Sequence, residues 1–232
     1  MKKRFLLGTL LFIFLFILTG CKNDAIKFKE DYESMNGKEN SMGKIHRTIT
    51  IDEKNPYVYI SSKDLVEKIE NKETFYVYFG STLCPWCRSV IEKSIEVSKN
   101  KGISKIYYVD IWDKDGNEIL RDKYIVNSND ELELTVEGTK EYKKLLAYFD
   151  SVLSNYTLKD SNGNTVSTNE KRIFAPNFIY VEKGEAKNLV EGISDKQSDS
   201  REELTTEMLK DEENIFNGFF KENDSCKIDS KC

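Results

Sequence analysis

Thr74-Phe75-Tyr76-Val77-Tyr78-Phe79-Gly80-Ser81-Thr82-Leu83-Cys84-Pro85-Trp86-Cys87 sets a run of aromatic and β-branched residues directly against two cysteines three positions apart. An unbroken apolar run of this kind predicts a central strand covered on both faces. Beyond it, Val90, Ile91, Ile95 and Val97 fit a helix from Val90 to Ser98 that Gly102 closes, and Ile103 to Ile111 reads as a second buried strand. Upstream, Tyr57-Val58-Tyr59-Ile60 is a short strand-like run. Ser61-Ser62-Lys63-Asp64 follows it, where a Ser can cap a helix that carries an acid in its first turn and turns Leu65, Val66 and Ile69 to a core. The order strand, helix, strand, Cys-x-x-Cys, helix, strand predicts an α/β domain.

The whole chain has 232 residues, 39% of them hydrophobic and 12% aromatic, enough for one elaborated globular domain and too apolar for a wholly disordered one. Its formal charge of -5 argues against a general nucleic-acid binder, and 12 Gly and 3 Pro exclude a collagen-like fibre. Residues 1–20 hold Lys2, Lys3 and Arg4 and no acid, so the remainder is more acidic than the whole. That basic start, an apolar stretch from Phe5 to Leu18 and then Leu18-Thr19-Gly20-Cys21 read as an export signal over residues 1–20. The last four residues resemble the lipobox of bacterial lipoproteins, which implies cleavage before Cys21 and lipidation of its sulfur. The domain would then sit on the extracytoplasmic face of the cell membrane, held by burial of acyl methylenes at about 0.8 kcal/mol each. Residues 21–50 are expected to be a flexible tether, because Lys22 to about Lys44 is charged and polar with no periodic apolar face.

Cys84-Pro85-Trp86-Cys87, following a buried strand and opening a helix, resembles a thioredoxin-fold active site. Two thiols at i and i+3 in a first helical turn can close a small disulfide ring, and the helix N-terminus stabilises a thiolate on the first. Pro85 suits that turn because its missing N–H costs nothing there. By the resemblance, Cys84 is the exposed attacking nucleophile and Cys87 the resolving thiol. The spacing alone also fits half a zinc site, completed by Cys226 and Cys232, or an inert structural disulfide.

Further along, Ile173-Phe174-Ala175-Pro176-Asn177-Phe178-Ile179-Tyr180-Val181 is a strand with a proline near its start, and Lys183-Gly184-Glu185 turns it into a hairpin with Asn188 to Val190. Pro176 matches the proline that is cis in thioredoxin-fold proteins and packs on the cysteines. The residue before it, here Ala175, offers backbone hydrogen bonds to a substrate strand. The resemblance covers about 51–220, broken by an insertion over about 112–171. Within that insertion, Leu145, Leu146, Tyr148, Phe149, Val152 and Leu153 predict a helix inside Thr139 to Leu153. Ile119 to Val136 is expected to form one or two short strands, and Asp160-Ser161-Asn162-Gly163-Asn164 a hairpin turn.

The implied protein is similar to the lipid-anchored thioredoxin-like proteins of Gram-positive bacteria, including those labelled bacteriocin transport accessory factors. It would be a thiol-disulfide oxidoreductase acting on thiols and disulfides of exported proteins. It would have a membrane electron-transfer partner, no cofactor or metal, and a monomeric state. A non-catalytic accessory module for a transporter or secreted peptide is the competing class. Two departures from ordinary thioredoxins stand out. The buried acid that assists proton transfer there falls here on Tyr78, and its partner lysine near Tyr108, leaving Tyr124, Glu92 or a water as substitutes. Pro85-Trp86 between the cysteines tunes thiolate stability, and Trp86 is expected to present an exposed apolar face to substrate. Toward the C-terminus, Leu204, Met208, Ile215 and Phe219 predict a terminal helix. Cys226 and Cys232, in the tail over 221–232, read as a second, local disulfide or as an electron shuttle. His46 reads as solvated, and Asp113-Lys114-Asp115-Gly116-Asn117-Glu118 as a turn.

Overall fold

A computed structural model describes residues 24–40 and 42–221. Cys21, Cys226 and Cys232, with the signal and tail assigned to them, lie outside the described residues. The elements run α1 (24–33), β1 (Tyr57–Tyr59), α2 (Ser62–Glu70), β2 (Phe75–Gly80), α3 (Pro85–Asn100), β3 (Ile106–Asp110), β4 (Lys123–Val126), β5 (Leu132–Val136), α4 (Lys140–Phe149), β6 (Ser154–Lys159), β7 (Thr165–Arg172), β8 (Asn177–Glu182), β9 (Glu185–Val190) and α5 (Thr206–Phe219). Five strands form one mixed sheet in the order β1-β3-β2-β8-β9. Strands β1 and β2 both pair with β3 in parallel, while β8 runs antiparallel to β2 and to β9. The chain is therefore α/β, with helices on both faces of a mixed sheet.

Alternation along the strands sorts side chains between two cores. In β2, Tyr76 and Tyr78 join one core while Phe75, Val77 and Phe79 join the other; in β8, Phe178 and Tyr180 oppose Ile179 and Val181. The first core is roofed by α1, α3 and α5, the second by α2 and α4. Capping follows the sequence closely, with the Ser61, Thr139 and Thr205 side chains accepting backbone N–H groups of Asp64, Tyr142 and Met208. The insertion folds as two hairpins, β4–β5 and β6–β7, flanking α4. At the β6–β7 turn, Asp160 Oδ1 accepts from the N–H groups of Asn162 and Asn164, as the expected turn chemistry requires. The Asp113 loop is likewise a turn, with its carboxylate accepting from Asp115 and Asn117.

The expected tether is corrected by the packing. Residues 24–33 are helical, and Ala25, Phe28 and Tyr32 are buried at helical spacing. Phe28 stacks on Tyr57 with ring centroids 4.3 Å apart and meets Tyr108 edge-on at 5.1 Å. The missed signal is this i, i+3, i+7 stripe, hidden because the other positions of that helix are mostly Lys, Glu and Asp. In α5 the buried stripe is Met208, Glu212, Phe216 and Phe219. Ile215 is only half-buried and Leu204 precedes the helix, because one position of the true stripe is filled by an acid. Helix α4 ends at Phe149, leaving Val152 and Leu153 beyond it.

Candidate active site

Helix α3 begins where the buried strand β2 ends, so the sheet delivers Cys84 to a helix N-terminus. Cys84 is the N-cap, and its Sγ accepts the Cys87 N–H at 3.3 Å, with Pro85 in the first turn. Across the gap, the Ala175–Pro176 bond is cis and the Ala175 carbonyl accepts the Cys84 S–H at 3.5 Å. The structure thus brings Cys84, Pro85, Trp86, Cys87, Ala175 and Pro176 into one neighbourhood, from segments 91 residues apart.

Both thiols are free. Their environments push them in opposite directions. Cys84 is held below the ordinary thiol range, first by hydrogen bonding from the Cys87 side chain and then by the N–H groups of Cys87 and Trp86. The Arg121 cation adds to this, and burial opposes it. Cys87 is pushed well above that range, first by burial and then by Cys84. One thiol is poised to ionise and the other to remain protonated.

Two expectations about exposure need correction. Cys84 is only 4% exposed, because the Ala175 segment covers it, and Trp86 is half-buried, packed on the tyrosine-bearing core. His46 is 3% exposed and not solvated. Both its ring nitrogens lack partners, and burial lowers its pKa, with Arg88 and Arg201 adding repulsion. It lines a groove of about 600 Å³ together with Met35, Met42, Leu83, Trp86 and Trp112. One wall of this groove beside Cys84 therefore comes from the segment read as a tether.

Four further residues belong to the site although sequence reading missed them. Arg88, next to Cys87 in α3, is fully buried and has no carboxylate partner in its hydrogen bonds. It donates to the carbonyls of Tyr32 (2.8 Å), Thr82 (3.3 Å) and Arg47, and to Asn36 Oδ1 at 2.6 Å, tying the N-terminal segment to the cysteine helix. Arg121, at the start of the insertion, is clamped by Glu118 at 2.6 Å and donates to the Ile173 carbonyl at 3.1 Å. Asp110 ends β3 opposite Gly80, and burial pushes its carboxyl up to about 6. Tyr32 reaches across from α1, its hydroxyl 2.9 Å from that of Tyr78. Of the expected substitutes for a buried acid, Glu92 is exposed and accepts from Thr50 N–H, and Tyr124 packs against Tyr156 in the insertion. The side chain beside Cys87 is Tyr78 itself.

Among the described residues, no group of three or more His, Cys, Asp or Glu is placed to hold a metal ion, and no helix is long and apolar enough to cross a membrane. In comparisons with known proteins, no family model and no curated protein matches the chain.

Proposed function

We propose that this chain is a thiol-disulfide oxidoreductase of thioredoxin-like fold, lipid-anchored through Cys21 on the extracytoplasmic face of a membrane, with Cys84 and Cys87 as its redox pair. The observation that carries the reading is Cys84, a helix N-cap held toward thiolate, facing the Ala175 carbonyl across a cis Ala175–Pro176 bond. The sheet order β1-β3-β2-β8-β9, with the cysteines after the central β2 and the proline before the antiparallel β8, supports the fold assignment.

In the reducing direction the Cys84 thiolate attacks a substrate disulfide. One substrate sulfur leaves and the other stays bonded to Cys84 as a mixed disulfide. Cys87 then attacks Cys84 Sγ and releases the second sulfur as a thiol. In the oxidising direction the same steps run backward. Ala175 and Pro176 border the path of the substrate strand, and the Ala175 carbonyl, occupied here by the Cys84 S–H, is the acceptor an incoming backbone N–H would use.

The second reading, a non-catalytic accessory module with structural cysteines, is favoured by one observation, the 4% exposure of Cys84. Incubating the full-length protein and its Cys87→Ser variant with a disulfide-bonded protein substrate separates the two. The oxidoreductase reading expects Cys87→Ser to accumulate a mixed disulfide at Cys84 that Cys84→Ser cannot form. Absence of any adduct, with Cys84 unreactive to alkylation in the folded protein, supports the accessory module.

A further inference from the structure

We propose that Tyr78 is a catalytic residue of this dithiol: its hydroxyl, buried in the same cluster as Cys87 and anchored by Tyr32, donates the hydrogen bond that stabilises the Cys87 sulfur as it becomes a thiolate nucleophile. The inference rests on the oxidoreductase reading and assigns the group that serves its resolving step.

The geometry leaves the Tyr78 side chain little freedom. Its ring is stacked between Phe178, at 4.4 Å and 14°, and Tyr108, at 5.5 Å and 26°. It lies along the strand over Gly80, where a Cβ would come within 2.2 Å of the hydroxyl. Glycine at position 80 is thus what lets a tyrosine two residues earlier extend toward the cysteine loop. The hydroxyl that arrives there meets the Tyr32 hydroxyl at 2.9 Å, and Cys87 is buried in the same cluster, near enough for each group to shift the other's ionisation. Arg88 fixes the far side of this arrangement by donating to the Tyr32 carbonyl.

The chemistry follows from what a buried phenol can do. Cys87 is completely buried, so forming its thiolate is costly without a donor. Burial also holds Tyr78 far above the ordinary phenol range, so it keeps its proton and acts as a donor, not as a base. With the Tyr32 O–H donating to the Tyr78 oxygen, Tyr78 becomes a stronger donor in turn. In the resolving step the Cys87 Sγ–Cys84 Sγ bond forms while the bond from Cys84 Sγ to the substrate sulfur breaks. That electron pair leaves on the substrate sulfur, which takes up the proton released by Cys87. The products are the Cys84–Cys87 disulfide and a substrate thiol, so the protein dithiol gives up the two electrons that reduce the substrate disulfide.

The test uses the full chain carrying glutathione on Cys84, formed from glutathione disulfide, with glutathione release followed by rapid quench across pH. Tyr78→Phe is expected to slow release about tenfold, the loss of one hydrogen bond to an ionised group, and to move the pH midpoint of release upward. Tyr32→Phe is expected to move both in the same direction by less. Alkylation of Cys84 in a Cys87→Ser background should not change with either substitution. Release from Tyr78→Phe at the wild-type rate, or slowed equally at every pH with no shift of midpoint, overturns the assignment. Should Tyr78→Phe fail to fold, Tyr32→Phe decides on the same two criteria. If the wild-type protein accepts no glutathione on Cys84, the oxidoreductase reading itself fails, a result distinct from any difference between variants.

Discussion

The two faces of the central sheet are built from different chemistry. One face, under α2 and α4, is filled mainly by Leu65, Val66, Ile69, Val77, Phe79, Val109, Leu145, Phe149, Ile179 and Val181, side chains with no polar atom to satisfy, beside a single fully buried hydroxyl in its cluster, that of Tyr142, which accepts the Ile173 N–H. The other, under α1, α3 and α5, carries Tyr32, Tyr57, Tyr76, Tyr78, Tyr108 and both cysteines, with Arg88, Ser94 and Glu212 also buried. Aliphatic packing is tolerant of partner and direction, so the first face holds the sheet together. Buried hydroxyls, thiols and a cation each demand a specific partner, so the second face fixes positions near the cysteines at some cost in stability.

The largest break of this contrast is Arg88→Met. It strands the carbonyls of Tyr32, Arg47 and Thr82 in the interior, and a loss on the order of 3 to 5 kcal/mol is expected in urea denaturation. Because Arg88 is the tie between α1 and α3, amide exchange in residues 24–33 should quicken more than in β2. Equal acceleration in both would show that α1 is not separately held.

Leu145→Ala probes the opposite face and is expected to cost about 2 to 4 kcal/mol through transfer and cavity effects. Disulfide exchange per folded molecule should be untouched, whereas substitutions on the tyrosine face alter it. A change in exchange at constant folded fraction would erase the division between the faces.

Glu212 sharpens the comparison through pH. It is fully buried, its carboxylate oxygens lack partners, and burial raises its pKa to about 7, against the attraction of Arg47 and Lys93. The folded state therefore binds a proton more tightly than the unfolded state. The Glu212 contribution to stability is fully present below the unfolded carboxyl range and is lost as pH rises through about 7. Glu212→Gln should flatten stability between about pH 4.5 and 7 and raise it at pH 8, by roughly 1 to 3 kcal/mol. An unchanged slope in denaturation midpoints would place the proton elsewhere.

Smaller effects complete the series. Tyr57→Phe removes the 2.7 Å hydroxyl contact with Ser94 and should cost about 1 kcal/mol. Lys144→Gln breaks the exposed pair with Glu70 at 3.0 Å, which solvent screens, and should move the denaturation midpoint less than Tyr57→Phe does. A larger loss from Lys144 than from Tyr57 would invert the argument that buried polar contacts dominate here.

Much of the architecture was legible because it is written in short-range pattern. The apolar run of β2, the capping residue Ser61, the turn at Asp160–Asn164 and the helix opening at Pro85 each follow from residues within a few positions of one another. The same local reading located Cys84 and Cys87, while the Ala175-Pro176 pair was picked out only by the family resemblance. It failed where burial depended on distant partners. A helix in which lysines and acids outnumber apolar residues reads as a tether because only three core residues in ten, Ala25, Phe28 and Tyr32, carry its packing. His46 looked solvated because nothing near it in sequence covers it, and Cys84 looked exposed because its cover arrives from Ala175.

Sequence alone determined the cadence of strands and helices, the placement of two thiols at a helix start, and a strand led by Pro176, since periodicity, capping and turn chemistry act over single turns of chain. Only the tertiary structure decided that Tyr32 meets Tyr78 across 46 residues, that Arg88 joins the N-terminal segment to the cysteine helix, and that the Ala175 carbonyl covers Cys84. The reason is physical: a charge or hydroxyl takes its energy from whatever surrounds it, and those surroundings exist only once segments far apart in the chain have packed together.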